Sequence, residues 1–328
     1  MDQRIEEAIR AVLPSGVQVQ TSTRDSNADL TINGVPIEAK WVGEGWLRDL
    51  RPVLASLHHP DIVIARRISP GAREALRDAE IGWVDETGAA EIAFKSIIVS
   101  RSGHPRKGLG KHARWTPAVL GVAEALLCGT RPTVAATTAD TGLSTGSCTM
   151  ALRVLADLGL LTANSKRGRN SGRRLVDPDR LLDAYAVAAA SMVPGPSLRV
   201  GVVWRDAQSG LVEVGSAWDR AGVAWAATGT LAASVLAPLL TLVSGAEVYV
   251  DTRTIAGLEA IASEAGLRPI EGGRLVLAPF PTTTAQRLVV EEEGLRVAPW
   301  PRIYADVRMV GVRGEEAAEH LREVVRGG

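Results

Sequence analysis

Two sets of residues in this chain have types and spacings that could do chemistry. The first is Asp29 and, after eight intervening residues, Glu38-Ala39-Lys40. If the two segments are adjacent strands, Asp29 comes from one, while Glu38 and Lys40 share a face of the next, because side chains repeat every two residues. Two carboxylates and a lysine so placed could hold a hard divalent cation and activate water for phosphodiester cleavage. Glu6 or Glu7, on a preceding helix, would be a further ligand. The second set spans residues 144–174. Thr145, Ser147 and Thr149 precede Arg153, and Lys166-Arg167-Gly168-Arg169 is followed by Arg173 and Arg174. Small polar side chains at the start of a helix can touch base edges in a major groove, and cations beside them hold phosphates.

The elements that must position the second set are legible locally. Ala118, Val119, Val122, Leu126 and Leu127 have helical spacing, with Thr116 as N-cap and Pro117 in the first turn. A short second helix is expected over 133–141. In the turn Thr141-Gly142-Leu143-Ser144, Gly142 takes a positive φ, Leu143 plugs the core and Ser144 caps a third helix over 144–158. That helix has an apolar stripe of Met150, Leu152, Val154, Leu155 and Leu158. Short strands at 160–165 and 173–176 flank the basic hairpin. Turn, capped helix and basic hairpin in this order read as a winged helix-turn-helix.

Charge is distributed to match. The 328 residues are neutral overall, yet residues 101–174 hold twelve Lys/Arg against Glu124, Asp140 and Asp157, a net +9, leaving −9 for the rest. A basic centre in an acidic body fits a double-stranded DNA partner. Residues 100–114, with Arg106, Lys107 and Lys111, form a basic Gly/Pro-bearing linker that could track along phosphates. His104 and His112 have no metal-ligand spacing. Two cysteines, Cys128 and Cys148, are too few for a disulfide scaffold or a zinc site and are expected to be buried thiols. The N-terminus does not read as a signal peptide, and the apolar run 231–243 is too short to span a bilayer; a cytoplasmic protein is expected, with no membrane partner.

The flanking segments mix helices and strands. Residues 1–99 follow the order α-β-β-β-α-β-α-β-β, with Asn33-Gly34 as a hairpin turn between strands at 29–32 and 35–42. Residues 115–192 hold the winged helix and the Ala-rich helix after it. Residues 193–328 form a further α/β module, with strands near 198–204, 223–227, 246–250, 275–278 and 288–290 and helices near 231–242, 254–265 and 314–325. The fold class is therefore α/β (α+β), multidomain. Ala227-Thr228-Gly229-Thr230 is a strand, a Gly turn and a helix start that could seat a phosphate, but it lacks a P-loop ending, and Asp251 stands alone on a later strand.

Two resemblances follow from these residues. The Asp29/Glu38/Lys40 spacing, with the element order around it, resembles the PD-(D/E)xK nucleases. That resemblance implies a restriction-endonuclease-like domain and, if it is active, a Mg-dependent DNA endonuclease. The segment Arg173-Arg174-Leu175-Val176-Asp177-Pro178-Asp179-Arg180-Leu181-Leu182-Asp183-Ala184-Tyr185 is similar to the AbiEi-like antitoxins of bacterial type IV toxin–antitoxin systems. So are Thr228-Gly229 with Ala232-Ala233, Ile303-Tyr304-Ala305-Asp306-Val307, and Gly314-Glu315-Glu316-Ala317-Ala318-Glu319-His320-Leu321. This likeness covers about residues 115–325, and Ser69-Pro70 through Thr87-Gly88 resembles the segment before the winged helix in such proteins. It implies a promoter-binding regulator needing no cofactor, a non-catalytic nucleotidyltransferase-like C-terminal domain and a cognate toxin as a protein partner. Simple antitoxins do not need the Asp29/Glu38/Lys40 set, so cutting DNA stands as the alternative to reading it. Oligomeric state is left open.

Overall fold

The computed structural model describes residues 3–14, 16–21, 29–94, 97–103, 115–163, 173–239 and 243–327. The chain is a mixed α/β protein of two compact units: Met1–Lys107 with Met309–Glu316, and Gly108–Arg308 with Ala317–Gly328.

The first unit runs α1 (Gln3–Val12), β1 (Val19–Thr21), β2 (Leu30–Ile32), β3 (Val35–Ile37), β4 (Ala39–Trp41), α2 (Leu47–Leu54), β5 (Ile62–Ala65), α3 (Pro70–Asp78), β6 (Gly82–Asp85), β7 (Ala90–Phe94) and β8 (Ile97–Arg101). Strands β1-β2-β3 form an antiparallel meander, and β4-β5-β6-β7-β8 form a second sheet whose first three strands are parallel. Asn33 and Gly34 both take positive φ, as a two-residue hairpin turn requires. The strand expected over 35–42 is interrupted at Glu38, because β3 pairs with β2 while β4 pairs with β5. Alternation along β5 sorts the core. Ile62 and Ile64 join Ile5, Ile9 and Val12 of α1 on one face. Val63 and Ala65 join Leu50 of α2 and Ala72 and Leu76 of α3 on the other. Two carboxylates tie the segment 309–316 to this unit: buried Glu315 accepts from the Leu47 amide at 2.7 Å and the Ser69 hydroxyl at 2.6 Å, and Glu74 accepts from the Val312 amide at 3.1 Å. A Cβ at Gly71 would lie 2.7 Å from Glu315 Oε2, so Gly71 is what lets that carboxylate in.

The second unit begins with α4 (Pro117–Leu127), α5 (Val134–Thr141), α6 (Thr145–Asp157), β9 (Leu161–Ala163), β10 (Arg173–Leu175) and α7 (Pro178–Ala190). It continues with β11 (Leu198–Gly201), α8 (Ala207–Arg220), β12 (Trp225–Thr228), α9 (Gly229–Leu236), β13 (Ala246–Val250), α10 (Ile255–Glu264), β14 (Arg268–Pro269), β15 (Leu275–Pro279), α11 (Thr283–Arg287), β16 (Val290–Glu292), β17 (Leu295–Val297), α12 (Trp300–Val307) and, from Ala317 on, α13 (Gly311–Gly327). Its seven-stranded mixed sheet has the order β14-β11-β15-β13-β12-β17-β16. Segments 115–192 and 193–328 share one continuous core, from Val119 on α4 through Tyr185 on α7 to Ile303 on α12. The helix expected over 231–242 ends as α9 at Leu236, ahead of Pro238. The strand expected at 288–290 forms two residues later, as β16, hairpinned to β17 through Glu293 and Gly294, both at positive φ. Helices α8, α11 and α12 were not expected. Gly215 inside α8 makes room for Trp225: a Cβ there would fall 2.1 Å from the indole. No helix among the described residues is long and apolar enough to cross a membrane.

Candidate nucleic-acid interface

The expected three helices and two strands form, in the expected order. Thr116 accepts from the Val119 amide (3.3 Å) to start α4, and Ser144 accepts from the Ser147 amide (3.2 Å) to start α6. Helix α5 closes on Gly142 at φ 68, a conformation that costs a residue with a Cβ about 1–2 kcal/mol. Buried Thr141 holds the turn by accepting from the Leu143 amide at 3.2 Å. Cys148, Ala151, Leu152, Val154 and Leu155 bury one face of α6 against Val119, Leu120 and Ala123 of α4.

The opposite face of α6 is open. Thr145, Thr149 and Arg153 are exposed at four-residue intervals. Ser147, expected with them, is half-buried and takes a 3.0 Å hydrogen bond from Ser144, so it serves the cap. Met150, assigned to the apolar stripe by spacing, is 58% exposed. It lies two residues, about 200° of helical rotation, from buried Cys148. In the ribbon, Arg173 pairs with Ala163 and Arg174 with Thr162; Arg174 is exposed and Arg173 half-buried. Lys166, Arg167 and Arg169 of the hairpin, and Arg106, Lys107 and Lys111 of the linker, lie outside the described residues. Of the two cysteines expected to be buried, Cys148 is; Cys128 is exposed, as the residue ending α4 where the chain turns at Gly129.

Sequence spacing did not disclose what braces this face. Arg287, from α11, donates to the carbonyls of Ala139 and Asp140 (both 3.2 Å), at the negative end of α5. Its Cδ lies 2.9 Å from where a Gly142 Cβ would be. Glu124 of α4 is fully buried and accepts from the Tyr185 hydroxyl at 3.0 Å. Burial pushes its carboxyl up to about 7, against the pull of Arg302 and the Tyr185 hydrogen bond. Nearby Asp306 accepts from Thr228 (2.6 Å), Tyr249 (2.7 Å) and Arg302 (3.0 Å). Thr228 and Asp306, 78 residues apart in sequence, are thus hydrogen-bonded to each other. The Gly229 turn faces an acid: a Cβ there would be 3.1 Å from the Glu247 carboxylate, whose pKa burial and Asp306 both raise.

In the first unit the fold brings Asp29 and Glu38 together. Asp29 Oδ2 accepts from the Ala39 amide at 3.0 Å. Asp61, which sequence reasoning missed, accepts from the Glu38 amide at 2.8 Å. Each carboxylate thus gives one oxygen to a backbone amide at the strand interruption. Glu38 and Lys40 are exposed, flanking buried Ala39, as their alternation requires. Lys40 is in register with Val63, on the face covered by α2 and α3. Glu6 is on α1, which covers the other face, and it pairs with Arg10 at 2.7 Å. Among the described residues no three His, Cys, Asp or Glu side chains are grouped to hold a metal ion. Asp29, Glu38 and Glu6 do not form such a group. We expect plasmid DNA incubated with the full-length protein and Mg2+ or Mn2+ to stay supercoiled, as it does with Glu38→Ala. Metal-dependent nicking that Glu38→Ala abolishes would reinstate the nuclease chemistry.

Comparison with protein-family models, with curated proteins and with solved structures gives no match.

Proposed function

We propose that this protein is a sequence-specific, double-stranded DNA-binding transcriptional regulator resembling AbiEi-type antitoxins, with residues 115–192 as a winged helix-turn-helix. The observation that carries the reading is the solvent-facing row Thr145, Thr149 and Arg153 on a helix rigidly seated by Ser144, Gly142 and the α4 core. A helix offering short hydroxyls from its first turns and a cation further along suits base edges and phosphate respectively. Arg174 and the hairpin cations Lys166, Arg167 and Arg169 would add phosphate contacts, as would Arg106, Lys107 and Lys111 of the linker. The +9 of residues 101–174 supports the same partner. A cognate toxin protein is the further partner in this reading, with the nucleotidyltransferase-like C-terminal module as its non-catalytic platform. The test is selection of binding sites from a pool of random duplexes by the full-length protein. Recovery of a shared sequence, bound more weakly by Arg153→Ala and by the Arg167→Ala/Arg169→Ala pair, supports the reading. Recovery of no shared sequence by the folded wild-type protein contradicts it.

A further inference from the structure

We infer that Met150 is a specificity residue that reads the 5-methyl group of a thymine in the major groove; this rests on the DNA-binding reading of α6. Helix α6 satisfies its core contacts without Met150, because Cys148, Ala151, Leu152, Val154 and Leu155 already fill the buried face. Met150 instead stands 58% exposed on the helix that carries Thr145, Thr149 and Arg153. A helical side chain leans toward the N-terminus over the residues three and four positions back. For Met150 these are Ser147 and Gly146. A Cβ on Gly146 would meet nothing nearer than Ser144 Oγ at 4.0 Å, so that surface is open. Beside it, Thr116, Ala118 and Val119 at the start of α4 face Gly146, Ser147, Met150 and Ala151 across a shallow groove of about 320 Å³.

This groove offers small, mostly apolar walls and one flexible thioether, and it adjoins the end of α6 that enters DNA first in such motifs. Charge complementarity points to the occupant. Residues 101–174, the stretch of sequence that contains α4 and α6, carry a net +9, which suits the polyanionic frame of a duplex rather than a neutral apolar partner. Within a major groove the apolar feature on a base edge is the thymine methyl, and apolar side chains read it by contact. Thr145 and Thr149 supply hydrogen bonds to neighbouring edges, and Met150 supplies the contact that tells thymine from cytosine or uracil.

The experiment uses the full-length protein and a synthetic duplex of the site it selects from random DNA, with each thymine replaced in turn by deoxyuridine. Affinity is read by fluorescence anisotropy for wild type, Met150→Ala and Met150→Leu. Removing one methyl at one or two positions should weaken wild-type binding about fourfold, as burial of a single methyl implies. Met150→Ala should bind the thymine and uracil duplexes equally at those positions, and Met150→Leu should keep part of the preference. The inference is overturned if no thymine methyl matters to wild type, or if Met150→Ala discriminates as wild type does. Sedimentation of the free protein gives a further outcome. If Met150→Ala dissociates a dimer and leaves discrimination unchanged, the face belongs to a second copy and the inference is wrong. Failure of wild type to select any site is distinguishable from these results; it removes the DNA-binding reading and the inference with it.

Discussion

Replacing Arg308 with alanine is expected to cost about 3–5 kcal/mol of stability, the usual consequence of breaking a buried ion pair from one side. The Arg308 side chain is fully buried, 2.8 Å from Asp183 on α7 and 3.4 Å from Glu319 on α13, and it donates to the Tyr304 hydroxyl on α12. Tyr304 also donates to Glu319 at 3.0 Å. One guanidinium thus joins three helices, and its loss takes a cation from Asp183 and from Glu319, which is only 7% exposed and keeps Arg322 as its other cationic partner. Neutralising the acids with it distinguishes the lost charge pairing from lost packing. The triple variant Arg308→Met, Asp183→Asn, Glu319→Gln should recover most of the loss, because no uncompensated charge then stays buried. Urea denaturation followed by tryptophan fluorescence checks this. A single Arg308→Ala variant as stable as wild type would show that the cluster contributes no net free energy.

Glu124 produces the second large effect, through pH. Its folded carboxyl titrates at about 7 against an ordinary 4.5, so the folded state holds a proton that the unfolded chain has already released. Stability contributed by this group is therefore full below about pH 4.5, falls as pH rises to about 7, and is flat above. At about 1.4 kcal/mol per unit, the whole drop is roughly 3 kcal/mol. Glu124→Gln has no such proton to lose and keeps an oxygen for Tyr185 to donate to. The difference in unfolding free energy between Glu124→Gln and wild type should grow in favour of the variant between pH 4.5 and 7, then level off. A difference that is constant across this window would mean that Glu124 is not held protonated by burial. Glu124 belongs to α4, against which α6 packs, so the same titration bears on the helix proposed to meet DNA.

How much of this was legible beforehand depended on how local each cause is. The caps Thr116 and Ser144 and the left-handed Gly142 act within four residues, and sequence alone located them. The wrong placement of Met150 has a less local origin. Helical spacing identifies a stripe, but only the position of α4 decides which edge of the stripe is buried, and Cys148 and Ala151 proved the deeper pair. Asp29 and Glu38 were rightly expected on neighbouring segments. That the strand changes sheets at Glu38, and that Asp61, just before β5, takes its amide, follows from a parallel pairing no local pattern encodes. The polar ties are more remote still: Glu124 to Tyr185 spans 61 residues, and Arg308 to Asp183 spans 125. Helix α8 carries Gly210 and Gly215, which disfavour a helix on local propensity alone. Both are there to seat Trp204 and Trp225, whose indoles a Cβ would strike.

The measurement that bears most directly on DNA binding is the salt dependence of affinity for the selected duplex. For the wild-type protein the logarithm of the association constant should fall linearly with the logarithm of salt concentration, with a slope of about −0.9 for each phosphate neutralised. Changing both Arg167 and Arg169 to alanine should weaken binding at every salt concentration and make the slope shallower by about two units, one for each lost contact. If the double variant binds at low salt as tightly as wild type, with the same slope, the basic hairpin does not touch DNA and the winged-helix assignment is wrong.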